Sequence, residues 1–214
     1  MLAWHFCQND RKLGYGDSRV IRTGRTYRVD CEPILCQQGL HGSVKLWDAL
    51  SYARGDILCR VRLGGTIVHG SDKVVATERT VLSMRNVEPL LHEFACRCAE
   101  RALKCNKVTD KRYWSAIEIK RAWLKGKATD KQMAAAWAAA WDVARPAAWA
   151  AARPAAWAAA GAAAWDAARP AAGAAARDAA WAAARAAARD AAGDAARDAE
   201  QRWQSRQLTK LLKR

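Results

Sequence analysis

The fold is decided by residues 57–85, which read ILCRVRLGGTIVHGSDKVVATERTVLSMR. In residues 57–63 the apolar side chains alternate with residues that include two arginines, and this period of two is typical of a strand with one buried face. Gly64-Gly65 predicts a turn into a short strand at residues 66–68. Residues 73–84 predict a further strand or pair of strands, so this stretch indicates a β-sheet.

The residues before this stretch continue the β pattern. Residues 2–7 predict an opening strand. Residues 19–22 and 25–29 flank Thr23-Gly24, a turn-forming pair, and predict a β-hairpin. Most of the first 85 residues is therefore expected to form strands.

Three helices are expected beside these strands. Ser43 is a candidate N-cap for a short helix over residues 46–52. After Asn86 the apolar period becomes helical, and Pro89 is compatible with the first turn of the helix that follows. A third helix is predicted from about residue 110 to 125.

The chain divides by composition into three parts. We expect a β-rich domain at residues 1–85, a helical part of the same domain at residues 86–127, and a repeat region at residues 128–214. The fold class is α+β: a small mixed sheet with packed helices, followed by an alanine-rich, proline-kinked helical tail.

A four-residue repeat runs through the tail from Trp137 to Ala199. Its first position is Trp, Arg or Gly, its second is Ala, Asp or Pro, and the last two are almost always alanine. Alanine is the best helix former, so the tail is predicted to be helical. Four residues advance about 400° around a helix, so the Trp/Arg row drifts about 40° per repeat and forms no flat seam.

Prolines are expected to divide this tail. Pro146, Pro154 and Pro170 each lack an amide donor, and each costs about 3 kcal/mol inside a helix. The tail is therefore predicted to be segmented or kinked, with its longest segment at about residues 171–212.

The tryptophans of the tail need cover, because an isolated alanine helix would expose them to water. Self-association or binding of a macromolecular partner is the predicted consequence. Replication slippage of a twelve-base unit is an alternative origin for the repeat. The candidate partner-binding residues are Trp137, Trp141, Trp149, Trp157, Trp165, Trp181, Arg145, Arg153 and Arg169.

Charge and cysteine content limit the functional classes. The net charge of +15 favours an anionic partner such as nucleic acid or an acidic protein. The seven cysteines show no Cys-x-x-Cys spacing, so no metal site is predicted and buried free thiols are expected. No secretory signal is visible at the start and no membrane association is expected, so a cytoplasmic protein is predicted, in the host cytoplasm if it is phage-encoded.

Several segments together resemble a family of uncharacterised phage and bacterial proteins. The chain resembles this family over nearly its whole length, and the resemblance implies a small cytoplasmic accessory protein encoded by a phage. The segments are MLAWHF (1–6), LCQQGLHGS (35–43), DALSYA (48–53), ILCRVRLGG (57–65), DKVVATERTVL (72–82) and the Ala/Trp/Arg repeats.

The first domain also resembles the poly-ADP-ribose branch of the ADP-ribosyltransferases. The similar motifs are Trp4-His5, residues 39–43 with Ala49 and Tyr52, Val61-Arg62-Leu63-Gly64, and Glu78. This resemblance implies that NAD is the cofactor. It further implies that His5 binds the adenosine ribose, that His41 replaces the tyrosine stacked on nicotinamide, and that Glu78 is the catalytic carboxylate.

Three functional hypotheses follow. The leading one is a non-enzymatic binding or structural protein that needs no cofactor and acts through its helical tail. The first alternative is an ADP-ribosyltransferase or its degenerate relic, with His5, His41 and Glu78 as site residues and NAD as cofactor. The second alternative is a nucleic-acid-binding protein that stacks bases on Trp and Arg side chains.

Overall fold

A computed structural model describes residues 1–14, 16–105, 108–149 and 194–212. The chain forms two compact units, Met1–Glu88 and Pro89–Arg214, which we call the sheet unit and the helical unit. Together they give the predicted α+β class. No helix in the described ranges combines the length and the apolar character needed to cross a membrane.

The sheet unit is built on a long antiparallel pair. The elements are β1 (Leu2–Cys7), β2 (Lys12–Gly14), β3 (Asp17–Val20), β4 (Thr26–Arg28), β5 (Leu40–Gly42), α1 (Leu46–Ser51), β6 (Ile57–His69) and β7 (Val74–Asn86). Strands β6 and β7 are 13 residues each and pair with each other along their length. Strand β1 pairs with β6, while β4 and β5 pair with different parts of β7. Strands β2 and β3 form a separate pair.

Backbone pairing after β5 closes the sheet into a ring. Trp4 N donates to Ser43 O at 2.7 Å, and Ser43 N donates to Trp4 O at 2.9 Å. Because β5 also pairs with β7, the order β1, β6, β7, β5 returns to β1. This closure brings the start of β1 next to residues 40–43.

The core of the sheet unit lies on one face of these strands. It includes Cys59, Val61 and Leu63, the alternating positions of β6 that the sequence predicted to be buried. Leu13 and Ile21, in and just after the β2–β3 pair, pack onto the same core. The β2–β3 pair therefore covers part of the buried face.

Three local predictions for the sheet unit are wrong. The hairpin of residues 19–22 with 25–29 does not form, because β3 pairs with β2 and the turn at Gly24 hydrogen-bonds to Val81 of β7. Gly64-Gly65 does not end the strand, since β6 continues to His69 with a register shift between Gly64 and Ile67.

Ser43 is not the N-cap of α1. The cap residue is Lys45, without a side-chain hydrogen bond, because Ser43 is held in backbone pairing with Trp4. A serine before an apolar run favours an N-cap in the local sequence. The backbone pairing with distant Trp4 holds Ser43 in an extended conformation before the helix instead.

Four helices of the described ranges follow the sheet: α2 (Glu88–Cys105), which begins at the last residue of the sheet unit, and α3 (Lys111–Leu124), α4 (Asp130–Trp149) and α5 (Asp194–Leu212) in the helical unit. The predicted starts of α2 and α3 are confirmed, since Asn86 Oδ1 accepts from Glu88 N at 2.9 Å and the Asp110 side chain caps α3. At α4, Thr129 and Gln132 exchange side-chain-to-backbone hydrogen bonds in a capping box.

Ion pairs join α2 to two of the other helices. Arg121 of α3 binds Glu93 at 3.0 Å and Glu100 at 2.5 Å, and Arg101 of α2 binds Glu200 of α5 at 2.5 Å. The Arg101 guanidinium also lies 4.5 Å from the ring centre of Trp203. The described part of α5 is thus fixed to α2 by both charge and stacking.

The tail prediction is only partly within the described ranges. Helix α4 continues through Pro146 to Trp149, so this proline does not end the helix. Pro154, Pro170 and most of the predicted segment 171–212 lie outside the described residues.

Candidate functional site

Two adjoining cavities form a cleft in the sheet unit. Their volumes are about 240 and 170 Å³, and both are lined by His5, Leu13, Gly14 and His41. We call the pair the histidine cleft, with a larger lobe and a smaller lobe. The ring closure at Ser43 explains why His5 of β1 and His41 of β5 meet here.

His5 is held as a neutral imidazole. Burial, together with the positive charge of Arg79 and the proximity of His41, keeps its pKa well below the ordinary value of 6.5. A neutral imidazole both donates and accepts hydrogen bonds, so His5 presents polar atoms to the cleft without adding charge.

His41 is fixed by its neighbours on the preceding loop. Its Nε2 accepts a hydrogen bond from Cys36 N at 3.1 Å, which places the ring proton on Nδ1. Burial lowers the pKa of His41, and a hydrogen bond with the Gly39 backbone offsets part of this effect. His41 is therefore a neutral, oriented wall of the cleft.

Arg79 lines the smaller lobe and is the most unusual residue of the site. It is 2% exposed, and only one of its nitrogens, Nη1, has a protein acceptor, the His41 carbonyl oxygen at 2.9 Å. Its Nε and Nη2 are buried and have no hydrogen-bond partner among the described residues. Burial lowers the pKa of Arg79 to about 10, so the guanidinium is charged at neutral pH.

No carboxylate in the described part of the chain forms an ion pair with Arg79. Asp17 lines the same lobe, but its carboxylate binds Arg19 at 2.6 Å. Hydrogen bonds from Arg19 accordingly lower the pKa of Asp17. The smaller lobe is thus lined by a buried cation that has no direct ion-pair partner among the described residues, although the charge of Asp17 acts on it from a distance. Burial of such a charge is costly.

Further cations surround the larger lobe. Lys12, Arg54 and Lys73 line it, and Lys73 Nζ lies 4.2 Å from the ring centre of Tyr52. A hydrogen bond with Cys36 is the main cause that raises the pKa of Lys73. Both lobes therefore favour negatively charged ligands.

The structure does not bring the three proposed catalytic residues together. His5 and His41 share the cleft. Glu78 instead forms an ion pair with Arg28 of β4, and the distance from Arg28 Nε to Glu78 Oε1 is 2.7 Å. Glu78 and Arg79 are consecutive in β7, and consecutive strand residues point to opposite faces. The group His5, His41 and Glu78 implied by the transferase resemblance is thus not a cluster in this fold.

Most candidate residues of the tail fall outside the description. Trp137, Trp141, Arg145 and Trp149 lie in α4, and only the backbone of these four residues is described. Arg153, Trp157, Trp165, Arg169 and Trp181 lie outside the described residues. Their predicted contacts stay predictions.

Arg79 is the functional candidate that sequence reasoning missed. It occupies the same face of β7 as buried Val81, two positions further on, so an arginine falls at a core-facing position. The positive charge at an inward position of the strand was the signal that could have identified it.

Two further observations concern ligands and relatives. Within the described ranges, no three His, Cys, Asp or Glu side chains are placed to hold a metal ion together. No protein-family model, no curated protein and no solved structure matches the chain.

Proposed function

We propose that the sheet unit is a non-enzymatic binding module that takes up a small anionic group, a phosphate or a carboxylate, in the histidine cleft. One observation carries this proposal: Arg79 lines the smaller lobe, is buried, and has no partner for Nε or Nη2 in the part of the chain that the structure describes. A guanidinium offers parallel N–H donors that match two oxygens of a phosphate or carboxylate.

The energetics of the free protein favour such a ligand. A buried charge without a partner destabilises the fold by several kcal/mol, as an order of magnitude. An anion that binds Arg79 offsets this cost, so binding and folding stability are coupled. The proposed ligand therefore raises the unfolding temperature as well as occupying the lobe.

The size of the lobe limits the ligand. At about 170 Å³ it is smaller than the roughly 300–1,000 Å³ of sites for drug-sized molecules. One phosphate or carboxylate group fits there, and the rest of a larger ligand would extend into the larger lobe beside Lys73. His5 and His41 then serve as neutral hydrogen-bonding walls between the two lobes.

Binding is favoured over ADP-ribosyl transfer by the position of Glu78. The Glu78 carboxylate, which the transferase resemblance implies to be catalytic, faces away from Arg79 and is already paired with Arg28. NAD still carries phosphates that the cleft would attract, so NAD is a useful probe for the transferase alternative. Binding of NAD without hydrolysis would support a binding module or relic, whereas turnover that requires Glu78 would support the enzyme.

Calorimetric titration of the full chain with inorganic phosphate, at constant ionic strength, tests the proposal. We expect R79Q to weaken phosphate binding at least about tenfold, because this is the effect of losing one charge-assisted hydrogen bond. The matched control is R28Q, which removes an exposed arginine of the same sheet. The phosphate affinity of R28Q should equal that of the unaltered chain. Equal phosphate affinity in R79Q and the unaltered chain would refute the Arg79 site. Acetate as a second titrant separates a phosphate site from a carboxylate site.

A second candidate function is association through the Ala/Trp/Arg tail, as a homo-oligomer or with a partner such as an acidic protein or nucleic acid. Two contacts in the helical unit favour it: Ala136 and Ala140 of α4 are buried, and Trp203 of α5 stacks with Arg101. Alanine faces and Trp/Arg stacking are thus used for packing in this chain. We propose that the repeats use the same contacts.

A further inference from the structure

Two buried cysteines lie side by side, and one of them, Cys7, lines the larger lobe of the histidine cleft. Cys7 of β1 and Cys59 of β6 have their Sγ atoms 3.8 Å apart. His5 is the direct partner of Cys59 across the strands, and Cys7 is two residues further along β1, so all three share one face. No disulfide joins them, and both are free thiols.

The two thiols differ in access. Cys7 lines the larger lobe of the cleft, although it is only 3% exposed. Cys59 is 0% exposed and belongs to the core. A small reagent that enters the cleft therefore meets Cys7 first, and Cys59 stands behind it within reach.

The two thiols also differ in acidity. The hydrogen bond donated by Cys59 lowers the pKa of Cys7; burial raises it, and the charges of Arg79 and Arg11 lower it further. The same hydrogen bond and burial raise the pKa of Cys59. The pair thus holds any thiolate on Cys7 and the proton on Cys59, in the electropositive surroundings typical of reactive cysteines.

We propose that Cys7 is a peroxide-reactive thiol and that Cys59 is its resolving partner, forming an intramolecular disulfide across β1 and β6. The Cys7 thiolate attacks one oxygen of hydrogen peroxide, the O–O bond breaks, and Cys7 becomes a sulfenic acid as hydroxide leaves. Cys59 sulfur then attacks the Cys7 sulfur, the S–O bond breaks, and water leaves. Overall, two thiols and one peroxide yield one disulfide and two waters.

The geometry suits the second step. The Sγ atoms need to approach from 3.8 Å to about 2.05 Å. Because Cys7 and Cys59 lie diagonally across the β1–β6 register, this approach requires the strands to shift as well as the side chains to rotate. This proposal rests on the cysteine pair and stands independently of whether Arg79 binds an anion.

The test uses the full chain with the two exposed thiols removed as C36S and C105S, which leaves the half-buried Cys31 and the four buried cysteines. The protein is exposed to one equivalent of hydrogen peroxide, alkylated, digested and mapped without reduction. We expect a Cys7–Cys59 linked peptide that dithiothreitol removes, and loss of the Cys7 thiol at least about tenfold faster than loss of the Cys98 thiol. Cys98 is an equally buried cysteine in α2.

Two variants separate the roles of the cysteines. In C59A, Cys7 should accumulate as a sulfenic acid that a 1,3-dione reagent labels, whereas C98A should form the disulfide like the parent chain. A Cys7 thiol that survives peroxide as long as Cys98, or a disulfide that uses Cys31 instead of Cys59, overturns the proposal. Because the linked peptide is sought first in the chain that retains both cysteines, the test does not depend on the folding of C59A.

Discussion

Arg79 Nη1 donates a hydrogen bond to the main-chain oxygen of His41 at 2.9 Å, which connects the middle of β7 to the strand that closes the sheet. Arg79 lines the smaller lobe, and its buried Nε and Nη2 have no hydrogen-bond partner among the described residues. Arg79 therefore makes one structural contact through Nη1, while its Nε and Nη2 have hydrogen-bonding capacity that the described residues do not use. Removal of the Arg79 charge is therefore expected to raise the stability of the free protein and to abolish its binding of anions.

Replacing Arg79 with methionine should stabilise the free protein while abolishing anion binding. An apolar side chain of similar length removes a buried charge that has no ion-pair partner among the described residues, and so relieves its desolvation cost. Loss of the hydrogen bond to His41 offsets about 1 kcal/mol or more of this gain. We expect R79M to raise the free energy of unfolding by about 1 kcal/mol in phosphate-free buffer, measured with urea. Added phosphate should raise the stability of the unaltered chain and leave R79M unchanged. Destabilisation of R79M by more than about 2 kcal/mol would instead make the His41 contact the dominant role.

Acidification should destabilise the sheet unit through its histidines. The pKa values of His5 and His41 are lowered in the folded chain, chiefly by burial, so the unfolded chain binds protons first as the pH falls. Their contribution to stability is present above pH 6.5 and is lost as the pH falls from there through the folded values. The urea midpoint should therefore decline between pH 7 and pH 5.

The variant H5Q should flatten this pH dependence, because glutamine does not titrate. H69Q, which alters an exposed histidine of β6, is the matched control and should keep the slope of the unaltered chain. The same slope in H5Q and H69Q would show that His5 does not couple folding to pH.

Gly39 should tolerate alanine much less than Gly24 does. Both have positive φ, +104° and +81°, but a Cβ at Gly39 would lie 2.5 Å from Val75 Cγ2, whereas nothing lies within 4 Å at Gly24. We expect G24A to cost about 1 kcal/mol from backbone strain, and G39A to cost about 3 kcal/mol because overpacking is added. Thermal unfolding of the two variants measures the difference, and equal losses would contradict the close approach of Gly39 to β7.

The tail hypothesis predicts a change in mass or in partner binding when tryptophans are removed. The triple variant W149A/W157A/W165A should lower the molar mass measured by light scattering, or lose a captured partner, because the proposed contacts bury indole rings. Unchanged mass and unchanged capture would count against association through the repeats. For a nucleic-acid partner, affinity should fall steeply with salt, since counterion release dominates such binding.

Local patterns predicted much of the fold. Period-two alternation in β6 identified its buried face, and Asn86 and Asp110 located two helix starts, because these signals come from neighbouring residues. The errors occurred where distant residues decide the structure. Gly24 bonds to Val81 and Ser43 pairs with Trp4, and both contacts replace the hairpin and the cap that local sequence favoured.

The candidate site was predictable in part for the same reason. His5 and His41 were chosen from motifs and do share the cleft, whereas Glu78 was chosen from a motif and faces the other side of β7. The cysteine pair depends on the register of β1 with β6, which spacing in the sequence does not reveal. Arg79 could have been found by following the inward face of β7 towards Val81.

The burial of Lys120 has a practical consequence for following the helical unit. Its ammonium lies 4.4 Å from the ring centre of Trp123 and its side chain has no solvent exposure, whereas Lys125 and Lys127 in the next turn are exposed. Acylating reagents should modify those two lysines at once and reach Lys120 only when α3 detaches from its neighbours. The ratio of acylated Lys120 to acylated Lys125 thus measures how often the helices open transiently.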